Sequence, residues 1–239
     1  MKIVEENNLK IYPTKQTINA PLGLPVPFDD RNQIIVITGA MGSGKSTWLH
    51  SALTCKKKDG RIFAGVYERV LYATPEECFS SEENHVMRKH IKSRLFHEFN
   101  IKMLENVAEQ ALQNKHENDG SNTLLVIDDF SEELKNLDTI RLLKKLIYKH
   151  RHLHLTICIS CLTMKSIPKS IRSLVDVYVI FKPKGLNELE DYLTEIFALK
   201  NNQMLRLMDF VFDKPHNFLM YNTRHNAYYK NFDKLAPLT

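Results

Sequence analysis

The sequence predicts an α/β protein: a mostly parallel sheet flanked by helices on both faces, with a small C-terminal α+β extension. Three observations lead there. Five short apolar runs are separated by stretches with helical spacing. A glycine-rich segment follows the first run, and the third run ends in two acids. Short continuous apolar runs fit strands buried on both faces, and the crossovers between them are too long for hairpins.

In chain order, Pro13, Pro21, Gly23, Pro25 and Pro27 cluster ahead of Asp29-Asp30, so residues 1–33 read as an extended N-terminal arm. Residues 34–185 carry the alternating pattern and form the core. Ile34–Thr38 is the first strand, and Ser46–Leu53 can follow as a helix. Val70–Thr74 is the second strand. His85–Asn114 carries helical spacing through Ile91, Leu95 and Phe99, then Leu104, Val107 and Ala111. Asn118–Asn122 is a loop, and Leu124–Ile127 is the third strand. Leu134–His150 is an amphipathic helix, with Leu137, Ile140, Leu143 (or Lys144) and Ile147 on one side. Thr156–Ser160 and Val177–Phe181 complete the strands. Residues 186–239 extend the same domain, with a helix over Leu189–Met208 and two aromatic segments, Phe218–Tyr221 and Ala227–Tyr229, suited to an antiparallel edge pair.

Composition narrows the class. The 239 residues are 43% hydrophobic, enough for one sizeable core. No apolar stretch approaches the length of a transmembrane helix, and Met1–Glu6 lacks the layout of a signal peptide. The formal net charge of +5 is weakly suggestive of a polyanionic partner. Cys55, Cys78, Cys158 and Cys161 are scattered, as expected of a reducing compartment. Cys158 and Cys161 form a C-x-x-C pair, but they lie in a strand pattern that sends i and i+3 to opposite faces, which suits chelation poorly.

Gly39-Ala40-Met41-Gly42-Ser43-Gly44-Lys45-Ser46 matches the P-loop pattern G-x-x-x-x-G-K-[ST]. Glycine is scarce, with 8 in the chain, yet three fall between positions 39 and 44. The loop must wrap a polyphosphate with backbone N–H groups, so it needs glycines for the backbone angles and the close approach. Lys45 supplies a charge for the β- and γ-phosphates, Ser46 a hydroxyl for Mg²⁺, and the helix that starts there its positive dipole end. Gly39 to Thr47 is therefore the expected binding segment for ATP or GTP. Leu124–Asp129 supplies the second half: Asp128 is placed to hold Mg²⁺, and Asp129 to orient or deprotonate water.

With these motifs in place, Ile34–Trp48, Leu124–Asp129 and the segment from Arg151-His152 through Phe181 resemble the viral genome-packaging ATPases of the FtsK–HerA superfamily. The nearest type is that of poxviruses, other large nucleocytoplasmic DNA viruses and virophages. The resemblance covers roughly residues 30–185 and includes Arg151-His152, a fourth strand Thr156–Cys161, Pro168-Lys169-Ser170-Ile171-Arg172 and a fifth strand. It departs from the family at the end of the fourth strand, where a glutamine is usual and this chain has Ser160-Cys161; Ser160 or Thr163 is then the candidate sensor.

The resemblance implies an ATPase with ATP and Mg²⁺ as cofactors, working as a homo-oligomeric ring on double-stranded DNA, with capsid vertex proteins as further partners. The site would be the host cytoplasm, in the virus factory, or the virion. Arg172 and Arg151 become candidates for a cation given to a neighbour's γ-phosphate. Lys144, Lys145, Lys149, Lys165 and Lys169 are candidates for a DNA channel, against an ordinary solvated surface, and the run Lys56–Arg61 reads as a solvated loop. Other readings stay open: another DNA-acting motor of the superfamily, a small-molecule kinase, or a non-hydrolysing nucleotide switch. No arginine-rich lid supports the kinase, and no L-S-G-G-Q segment supports an ABC-type ATPase.

Overall fold

A computed structural model describes residues 21–55, 62–81, 85–89, 94–117, 121–197 and 199–236. The run Lys56–Arg61, most of the loop at 118–122 and the first twenty residues of the arm lie outside them. The elements are β1 Ile34–Thr38, α1 Lys45–Thr54, β2 Arg69–Ala73, α2 Glu76–Ser81, β3 Leu95–Phe96, α3 Ile101–Glu117, β4 Thr123–Asp128, α4 Leu137–Lys149, β5 Leu155–Cys161, α5 Lys169–Arg172, β6 Val177–Phe181, α6 Leu186–Glu195, α7 Asn201–Val211, β7 Phe218–Asn222, β8 Ala227–Lys230 and β9 Asp233–Lys234.

All nine strands form one sheet in the order β3-β2-β4-β5-β1-β6-β7-β8-β9. From β3 to β6 the pairs are parallel. β7, β8 and β9 continue the sheet antiparallel. The five apolar runs are strands because every residue of β1, β4, β5 and β6 is buried, which only a sheet covered on both faces allows. One face packs on α3, α4, α5 and α7 through residues such as Ile34, Leu125, Ile159, Leu104, Leu143, Ile171 and Leu207. The other packs on α1 and on the arm, through Ile35, Val126, Leu49, Trp48, Leu22 and Phe28. Cys158 belongs to the second cluster and Cys161 to the first, so the two thiols lie on opposite faces of β5. Among the described residues no helix is long and apolar enough to cross a membrane.

Three expectations are corrected. Among the described residues the helix expected over His85–Asn114 is found from Ile101, after a 3₁₀ turn at Val86–Lys89 and the short β3, and Ile91 lies outside them. Asn100 sets the start, its side chain accepting from Met103 N–H at 2.9 Å, while the edge of β2 recruits Leu95-Phe96 and overrides the helical spacing. The helix expected over Leu189–Met208 is two helices. The chain bends where Phe197 packs on Tyr192, Tyr221 and Tyr228, and Lys200 N–H restarts it on Gln203 Oε1 at 3.1 Å. Leu137, expected on the buried side of its helix, is 73% exposed. It is the first residue of α4, whose true start is capped by Asn136 Oδ1 on Asp138 and Thr139 N–H.

Candidate nucleotide site

The site lies at the C-terminal ends of the parallel strands, where loops leave the sheet. β1 ends in Thr38, and the loop 39–44 turns into α1 at Lys45. The turn needs its glycines. Gly42 has φ 75° and Gly44 φ 112°, in the left-handed region. A Cβ at Gly39 would come within 2.6 Å of Phe181 Cβ and 2.7 Å of Ser43 Oγ. The loop is thus wedged between β6 and its own far side. Gly39 N–H donates to Cys161 O at 3.3 Å and Ser43 N–H to Ala40 O at 3.1 Å.

Lys45 Nζ folds back on the loop, donating to Gly39 O at 2.6 Å and Ala40 O at 3.1 Å. Burial holds its pKa below the usual lysine value, opposed by the charges of Asp129 and Asp128. Lys45, Asp128 and Asp129 therefore sit within electrostatic reach of one another, although 83 residues separate the first two. Met41, at the tip of the loop, is 82% exposed; Thr47 is also exposed and Ser46 half-buried.

β4 delivers the acids. Leu124 and Val126 point to the α1 face, and Asp128 continues that alternation, opposite Ser160 in the β4–β5 register. Asp128 is buried, and Tyr72 of β2 donates its hydroxyl to Oδ2 at 2.9 Å. Burial pushes the Asp128 carboxyl up; the Ser160 and Tyr72 hydroxyls and Lys45 pull it back. The Ser160 hydroxyl faces Asp128 closely enough to lower its pKa, and its Oγ has no other partner among the described residues.

Asp129 has φ 61°, a left-handed conformation that aspartate tolerates at a modest cost in strain. Its N–H donates to Ser160 O at 3.2 Å, and its exposed carboxylate accepts from Cys78 Sγ of α2 at 3.7 Å. Consecutive acids thus take different surroundings: one buried against the sheet, one turned outward.

The sequence-predicted residues divide in two. Gly39, Ala40, Met41, Gly42, Ser43, Gly44, Lys45, Ser46 and Thr47 form one loop and helix start, with Asp128 and Asp129 beside them. The arginines are elsewhere. Arg172 is 12% exposed and bound within its own chain, to Glu195 Oε2 of α6 at 2.8 Å and to Met164 O at 3.3 Å. In this conformation α6 supplies Arg172 with a carboxylate that no sequence pattern revealed. Arg151 is exposed in the turn before β5, at the opposite edge of the sheet from the phosphate loop. Cys161 is fully buried, donating to Thr163 O at 3.2 Å, and burial pushes its thiol up to about 12. Thr163 bonds Ser166 Oγ at 3.2 Å, which leaves Ser160 as the polar end of β5 on the Asp128 side.

Sequence reasoning missed Tyr72, Cys78 and His216. Tyr72 had one signal, a phenol inside a fully apolar strand, which needs a partner for its hydroxyl. His216 had none: it arrives from the loop before β7, with φ 63°, and its Nδ1 lies 3.1 Å from Ser43 O.

The donors fit a magnesium–triphosphate group. Ser43 Oγ is buried without a partner among the described residues, Lys45 is turned into the loop, and hard oxygen donors, Ser46 and Asp128, suit Mg²⁺.

Known structures share the fold. B204, the DNA-packaging ATPase from Sulfolobus turreted icosahedral virus, aligns at TM-score 0.64 and 15% identity, over 85% of this chain and 98% of that one. The genome-packaging NTPase B204 from Sulfolobus turreted icosahedral virus 2, in complex with ATP-gammaS, aligns at 0.60 and 15%, over 85% and 98%. The cytoplasmic domain of the type VII secretion ATPase EccC from Thermomonospora curvata aligns at 0.55 and 12%, over 86% and 24%. At these identities the likeness is one of fold. No curated protein sequence matches the chain. Residues 29–222, from the end of the arm through β7, match the family described as the poxvirus A32 protein, and the chain belongs to that family.

Proposed function

We propose that this protein is a magnesium-dependent ATPase that works as a homo-oligomeric ring and drives double-stranded DNA into a capsid. The observation that carries the reading is the convergence of Lys45, Asp128 and Asp129 at one end of a parallel sheet. The packaging ATPases that share the fold, and the family membership, support the choice of DNA and capsid over other substrates. The place of work that follows is the virus factory in the host cytoplasm or the virion.

In this reading the backbone N–H groups of Gly39–Gly44 hold the phosphates, with Thr47 at the mouth of the loop. Lys45 exchanges the Gly39 and Ala40 carbonyls for the β- and γ-phosphate oxygens. Ser46 and Asp128 would hold Mg²⁺, which supplies charge neutralisation across those oxygens. Tyr72 keeps Asp128 turned toward it. Asp129 takes a proton from the water that attacks the γ-phosphorus, as the bond to the leaving ADP oxygen breaks. Ser160, next to Asp128, takes the sensing position that glutamine fills in related ATPases. Arg172 ties α6 to the segment after β5, and Arg151, exposed in the turn before β5, is the candidate to meet a neighbour or DNA. Lys145 and Lys149, exposed on α4, lie toward the same edge.

The test is hydrolysis by Lys45→Ala. The variant folds as wild type and loses ATP turnover. Wild-type turnover would reject the site, and transfer of the γ-phosphate to a small metabolite would favour a kinase.

A further inference from the structure

The phosphate loop opens on its β7 side into a cleft of about 470 Å³. Gly44 and Thr47 belong to both, and Trp48, Phe181, Phe218 and Phe232 form much of the remaining wall. Trp48 and Phe232 lie 27° from parallel with ring centroids 6.5 Å apart. Phe218 meets both of them edge-on, at 6.4 Å and 5.3 Å. Trp48 is 7% exposed, and its Nε1 has no hydrogen-bond partner among the described residues. Phe232 is 41% exposed, an aromatic face left at the mouth of the cleft.

We infer that this cleft takes the base of a purine nucleoside triphosphate and reads it by stacking, so that ATP and GTP are bound nearly alike. The inference rests on the phosphate site proposed above and names what lies beyond its phosphates. Three features carry it. The cleft starts at Gly44 and Thr47, so a ligand whose phosphates lie on the loop extends into it. Its size suits a small-molecule site, and its wall is aromatic, as a flat apolar ring requires. The described wall also carries no carboxylate, amide or guanidinium. Adenine and guanine differ in the donors and acceptors on their ring edges, and only oriented polar groups tell them apart strongly. The polar members are Thr47, Ser51, Cys55 and His216, and the Nδ1 of His216 already faces Ser43 O. Stacking is tolerant of base identity because every base has a π-face.

Trp48 is the chain's single tryptophan, so its emission reports on the cleft directly. The experiment titrates wild type, Phe232→Ala and Phe232→Tyr with magnesium ATP, magnesium GTP and inorganic tripolyphosphate, by fluorescence and calorimetry. ATP and GTP should bind within about tenfold of one another, and each about tenfold or more tighter than tripolyphosphate. Both nucleotides should change Trp48 emission more than tripolyphosphate does. Phe232→Ala should weaken both nucleotides about tenfold and leave tripolyphosphate alone, and Phe232→Tyr should restore them. The inference is overturned if ATP binds no tighter than tripolyphosphate, if Phe232→Ala binds ATP as wild type does, or if ATP is preferred over GTP by about a hundredfold or more. Failure of tripolyphosphate and ATP alike rejects the phosphate site itself, and the base cleft with it.

Discussion

Tyr72→Phe removes one oxygen from the centre of the protein and nothing else. Tyr72 is fully buried, and its hydroxyl donates to Asp128 Oδ2 at 2.9 Å. His85 packs edge-on against the ring at 4.9 Å, and burial pushes that histidine down to about 4, so the phenol has a neutral neighbour. Phenylalanine keeps the ring contacts. A hydrogen bond to a charged group contributes about 1.5–3 kcal/mol, against about 0.5–1.5 kcal/mol for a neutral pair. The sign with pH follows from Asp128. Burial raises its folded pKa, so Asp128's own contribution to stability is greatest while it is protonated and is lost as pH rises through that folded pKa. The Tyr72 bond opposes this fall and is worth most when Asp128 is charged. Tyr72→Phe should therefore cost about 1.5–3 kcal/mol where Asp128 is ionised, and less at a pH low enough to protonate it. In an Asp128→Asn background it should cost only the neutral amount. The assay is urea unfolding of the four proteins in a double-mutant cycle. Equal losses from Tyr72→Phe with and without the Asp128 carboxylate would refute the coupling and the role given to Tyr72.

Other consequences follow from the same geometry. Asp128→Asn should remove the Mg²⁺ dependence of nucleotide binding, measured by calorimetry with and without Mg²⁺. Asp129→Asn should bind magnesium ATP as wild type does and fail to turn it over; equal binding defects in the two variants would show the roles to be misassigned. Arg172→Ala should cost about 1–3 kcal/mol by stranding Glu195, measured by urea unfolding, and Glu195→Gln should recover part of that loss. In mixed rings, Arg151→Ala and Lys45→Ala subunits, each inactive alone, should together recover some hydrolysis; no recovery from assembled rings would remove Arg151 from the interface role.

Much of this was legible in the chain. Ile34–Thr38 and Val177–Phe181 are the strands that their apolar runs predict, because burial on both faces leaves an unbroken hydrophobic signature. The loop between β1 and α1 was legible because the pattern it matches fixes glycines, lysine and serine at set spacings. β3 was not, since two residues show no period and its pairing is decided by the open edge of β2. The break between α6 and α7 was hidden as well, because it is made by Phe197 meeting Tyr221 and Tyr228, 24 and 31 residues on. The same holds at the site. Tyr72 and His216 reach it through tertiary packing, and Arg172 is withdrawn from the surface by a glutamate 23 residues away. Local pattern carries the elements and the motif; long-range partners carry the details of charge.

The central claim is that nucleotide chemistry here is coupled to DNA. Steady-state ATP hydrolysis, measured with and without long double-stranded DNA at fixed Mg²⁺, tests it most directly. The account predicts a rate that rises strongly with double-stranded DNA and vanishes in Asp129→Asn under both conditions. A rate indifferent to DNA, from protein shown to assemble into rings, would contradict it.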